Sequence, residues 1–67
     1  LIKGDLVKRV KYKATTYDGR IKLNSIGVLI GNPEVFGFIE RAPVHFACIG
    51  DYEWVDTDEL EVINEIN

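Results

Sequence analysis

The chain has 67 residues, 46% of them hydrophobic and 28% charged, with a formal net charge of −3. This apolar content argues against disorder, and the length limits residues 1–67 to a single domain with one small core. One cysteine, Cys48, and one histidine, His45, exclude an internal disulfide and leave a structural zinc site without ligands.

A chain this small therefore needs a well-closed barrel or a partner to hold it together. No stretch approaches the ~20 apolar residues that span a bilayer, and the longest apolar run, residues 26–30, is interrupted by Gly27. No membrane contact is expected. An unpaired cysteine without a secretion signal points to a reducing, intracellular setting. Charge is unevenly laid out. Residues 1–22 carry seven Lys and Arg against two Asp, whereas from residue 23 onward Arg41 stands alone against nine carboxylates. If the first and last strands pair, these opposite signs become cross-strand neighbours.

Gly4-Asp5 opens a first strand, Leu6 to about Tyr12, whose imperfect alternation suggests a bulge near Lys8-Arg9 that turns Val7 and Val10 inward together. Asp18-Gly19 predicts a hairpin joining residues 14–17 to 20–23 as a long excursion. The run from Ile26 to Ile30 should be a central strand, with Gly27 and Gly31 at close crossings or bends. A turn is expected at Asn32-Pro33-Glu34. Val35 to Arg41 reads either as a ragged strand or as an extended loop with exposed aromatics. After Pro43, alternation sets Val44, Phe46 and Cys48 on one face and His45 and Ala47 on the other. A tight hairpin at residues 49–52 leads into a returning strand, Tyr52 to Val55. Residues 56–60 read as a single 3₁₀ turn capped by an aspartate, and residues 61–63 as a closing strand paired with the first.

These elements make an all-β fold of five to six short antiparallel strands with one 3₁₀ turn before the last, a pattern that resembles the SH3-like small barrel. The layout Gly4-Asp5-Leu6-Val7, Ile26-Gly27-Val28, Val44-His45-Phe46 and Asp58-Glu59-Leu60-Glu61-Val62 is similar to the small accessory barrel of photosystem I and the ferredoxin–thioredoxin reductase variable chain. Both of those dock on larger redox proteins. The same layout, ending in Trp54 and residues 60–63, is similar to short bacteriophage proteins, and KOW-type and Tudor-type barrels share its first two strands. Such motifs report architecture, not activity.

No catalytic constellation is evident, and no enzyme activity or cofactor is expected. Ser25 lacks a nucleophile-elbow context, Cys48 reads as an inert residue on an apolar strand face, and His45 points to the opposite face. The acids Asp51, Glu53, Asp56, Asp58, Glu59 and Glu61 lack the glycine of a calcium loop, so no metal is expected there and the row reads as a solubilising face. Nor is there a phosphate-cradling loop or a small-molecule site. Lys8, Arg9, Lys11, Lys13, Arg20 and Lys22, interleaved with Tyr12 and Tyr17, would suit a nucleic acid or an acidic electron carrier, against an overall pI near 4.9. An aromatic cage would have to draw on Tyr12, Tyr17, Phe36, Phe38, Tyr52 and Trp54. The apolar run Phe36-Gly37-Phe38-Ile39 favours docking on a larger protein through Tyr17, Phe36, Phe38 and Trp54.

Overall fold

In a computed structural model, described for residues 1–12 and 20–63, six strands form one antiparallel sheet curled into a half-barrel. They are β1 (Leu6–Arg9), β2 (Ile26–Leu29), β3 (Glu34–Phe36), β4 (Ile39–Phe46), β5 (Asp51–Asp56) and β6 (Leu60–Val62), with a 3₁₀ turn at Thr57–Glu59 before the last. The hairpin expected at Asp18-Gly19, with Lys13 and Tyr17, lies outside the described residues.

β2 pairs with β1 on one side and with β4 on the other, and β1 pairs in turn with β6. Residues 44–46 of β4 pair with both β2 and β5, so those two strands flank it on opposite edges. The resulting order β6-β1-β2-β4-β5, with the 3₁₀ turn between β5 and β6, is compatible with an SH3-like fold. β3 joins β4 on the same edge as β2, since Arg41 sits opposite Glu34 on one side and Asp56 on the other. The closing strand thus pairs with the first, as its position in the sequence implied.

Alternation decides the core. Val7, Leu29, Val44, Phe46, Val55 and Leu60 project inward and are joined by Ala42 and by Ile21 from the long β1–β2 connection. Gly27 lets β2 and β4 approach closely: a Cβ there would lie 2.5 Å from Val44 Cγ1 and 2.8 Å from the His45 carbonyl oxygen. Gly31 is likewise crowded, by Pro43 Cγ at 3.0 Å.

Several expectations need correction. β1 ends at Arg9 and its pairings on both sides are continuous, with no bulge; Val7 and Arg9 face inward while Val10 is exposed. Strict alternation therefore holds, and the inward charge is tolerated because it is paired. Residues 20–23 form no strand, and Glu34 begins β3 instead of ending a turn. Cys48 is exposed, because β4 stops at Phe46 and the chain turns over residues 47–50 before alternation can carry the thiol inward. Asp56 precedes the 3₁₀ turn but makes no side-chain cap; it accepts a hydrogen bond from Arg41 Nε at 2.8 Å.

Candidate functional site

The ambiguous segment from Val35 to Arg41 is a β-hairpin. Phe36 and Ile39 face each other across a two-residue turn, Gly37-Phe38, in which Gly37 adopts φ of +69°. A glycine in the left-handed region at the first turn position is the backbone signature of a II′ hairpin, whose twist matches that of its strands. Phe38, the second turn residue, projects fully into solvent.

Register then assembles the surface beside the turn. Glu34 and Phe36 of β3 lie opposite Arg41 and Ile39 of β4; Arg41 and Pro43 lie opposite Asp56 and Trp54 of β5. Directly opposed residues share a face of the sheet. Phe36 and Trp54 consequently meet edge to face, with centroids 5.4 Å apart and planes at 83°, a favoured aromatic geometry. Both stay partly exposed, at 45% and 39%. Together with Glu34 and Arg41 they line an open groove of about 360 Å³. A smaller depression of about 200 Å³ lies among Phe38, Ile39, Glu40, Asp56, Thr57 and Asp58.

Of the aromatics proposed for docking, the fold brings Phe36 and Trp54 into contact and sets Phe38 at the adjoining turn. The wider aromatic cage does not assemble among the described residues. Tyr12 is instead stacked with Arg9, whose guanidinium carbon lies 4.6 Å from the ring centroid.

The basic residues have several different fates. Arg9 is wholly buried, with its Nη2 2.8 Å from Glu59 Oε1 and its Nη1 donating to the Ile21 carbonyl oxygen. Arg20 reaches Glu53 at 3.0 Å, and Lys8 lies opposite Glu61 in the β1–β6 ladder. Lys11 and Lys22 are exposed. The charge halves therefore do meet as neighbours. Among the acids read as a solubilising row, Asp56 and Glu59 are buried and tie down Arg41 and Arg9.

That clamp was missed because a charged residue is normally assigned to the outside. The available signal was the period-two phase that places Arg9 with Val7. His45 is exposed, as expected. Cys48 Sγ lies 3.9 Å from Ser25 Oγ and from the Arg20 carbonyl oxygen. Among the described residues there is no cluster of three or more His, Cys, Asp or Glu placed to hold a metal ion, and no helix long and apolar enough to cross a membrane.

No known family model matches the chain, and no curated protein or solved structure matches it.

Proposed function

We propose that this chain is a non-catalytic docking module that joins a larger protein assembly through the face built by the β3–β4 hairpin and β5. One observation carries the reading. Of the six described aromatics only Phe46 is buried, while Phe36, Phe38 and Trp54 gather at one end of the barrel. Aromatic side chains are the largest apolar contributors to a core. A small domain that places them outside, on a projecting hairpin, gains from them only when something covers them.

The concrete form of this role is an accessory or structural subunit, in a bacteriophage particle or in a host-cell complex, in keeping with the barrels that the sequence resembles. An electron-transfer accessory role like that of the photosystem I barrel, or a KOW- or Tudor-type contact with nucleic acid, would rely on the basic first third. Those readings have less behind them, because Arg9 is buried and Arg20 and Lys8 face carboxylates.

The test is a comparison of variants in binding to the native assembly. Phe38→Ala and Trp54→Ala should each abolish binding while leaving the fold intact. Replacing Lys11, Lys13 and Lys22 together should leave it nearly unchanged. The reverse pattern rejects the docking reading in favour of a polyanion or carrier.

A further inference from the structure

We infer that the partner offers this face a cationic, extended segment with apolar anchors, an inference that rests on the docking reading. The first support is charge. Arg41 is the one basic residue between Lys22 and the end of the chain, and its Nε is bound to the buried Asp56 at 2.8 Å. Glu34 stands on the groove wall beside Phe36 and Trp54, whereas Glu40, opposite Val35, lies on the other face of the hairpin, where it accepts a hydrogen bond from Thr57 Oγ1 at 2.8 Å. Both glutamates are exposed. The groove wall thus carries one exposed carboxylate, Glu34, with its single cation already engaged by Asp56. Such a wall favours Lys- or Arg-bearing partners and repels acidic ones.

The second support is shape. A volume of about 360 Å³ lies near the lower end of the range for ligand pockets, ~300–1,000 Å³, and suits one or two apolar side chains. β3 pairs with β4 on one edge and with no described strand on the other. An extended segment laid along β3 would present alternate side chains to one face, where Glu34 and Phe36 both lie. A cation would meet Glu34, and the next apolar residue on that face would enter the Phe36–Trp54 groove.

The chain, labelled with ¹⁵N, is titrated with three short synthetic peptides in which every second residue is threonine and the positions between, which share one face of an extended segment, alternate leucine with lysine, with glutamine or with glutamate. The lysine peptide should bind best and shift the Trp54 indole signal and the amides of residues 34–41. Its affinity should fall as salt is raised. Glu34→Lys should weaken it by roughly two- to fivefold and shift the preference toward the glutamate peptide, whereas Glu40→Lys, on the other face of the hairpin, should have little effect. Equal binding of all three peptides at the groove rejects the charge assignment while leaving the docking face in place. Binding elsewhere, or none, overturns the inference even if Phe38→Ala still abolishes assembly binding. Loss of both results removes the docking reading as well.

Discussion

Arg9 and Glu59 belong to opposite ends of the chain, and their buried contact joins β1 to the 3₁₀ turn that leads into β6. Arg9 also grips the Ile21 carbonyl oxygen and stacks on Tyr12, so one guanidinium fastens three segments. Removing one member of a buried pair strands the other charge and costs about 3–5 kcal/mol, whereas replacing both with apolar residues of similar volume is often neutral or stabilising. Glu59→Ala should therefore lower unfolding stability by about 3–5 kcal/mol, a large share of what a small domain has. The paired change Arg9→Met with Glu59→Leu should recover most of that loss. Urea unfolding of the single and paired variants decides it, and an unchanged midpoint for Glu59→Ala would contradict the clamp. The pair was only half legible. The phase of β1 marks Arg9 as inward, but nothing in the run of acids distinguishes Glu59 and Asp56 from their exposed neighbours until the 3₁₀ turn and the β5 register place them.

The β3–β4 hairpin is the element on which the proposed docking rests, and its two turn residues do different things. Gly37 makes the turn possible: its φ of +69° is costly for a residue with a Cβ, although open space surrounds that position. Gly37→Ala should then destabilise the domain by about 1 kcal/mol, through backbone conformation alone, and should weaken partner binding by misplacing Phe38. Phe38 makes no use of the core, so Phe38→Ala should shift stability by less than about 0.5 kcal/mol while removing binding. Thermal melts beside binding measurements separate the two, and a large loss of stability in Phe38→Ala would show that its side chain packs within the domain. Val35-Phe36-Gly37-Phe38-Ile39 lacks the polar residues that usually mark a turn, and only the glycine flanked by β-formers signalled one. The Phe36–Trp54 contact could not be anticipated, because it depends on a register in which β4 bridges β3 and β5.

At the scale of the whole molecule, the all-β fold with its 3₁₀ turn before the last strand was the most legible feature. The alternating segments, the central glycine-bearing strand and the acidic step before the last strand together implied the barrel, since each follows from local periodicity and turn chemistry. The layout of charge was legible too, and the Arg9–Glu59 and Arg20–Glu53 pairs explain why so lopsided a chain closes on itself. Distribution of the aromatics between inside and outside was not, because composition shows how many there are and not how few the core needs. Among the described residues, eight buried apolar side chains with a single aromatic make up the core, while Phe36, Phe38 and Trp54 stay at the surface. The most direct measurement is capture of partners from the native source on the tagged chain, with and without nuclease, with Phe38→Ala in parallel. One protein recovered in equimolar amount, indifferent to nuclease and lost with Phe38→Ala, is the expected result. Recovery that survives Phe38→Ala and Trp54→Ala but disappears with nuclease would contradict it and move the working surface to the basic first third.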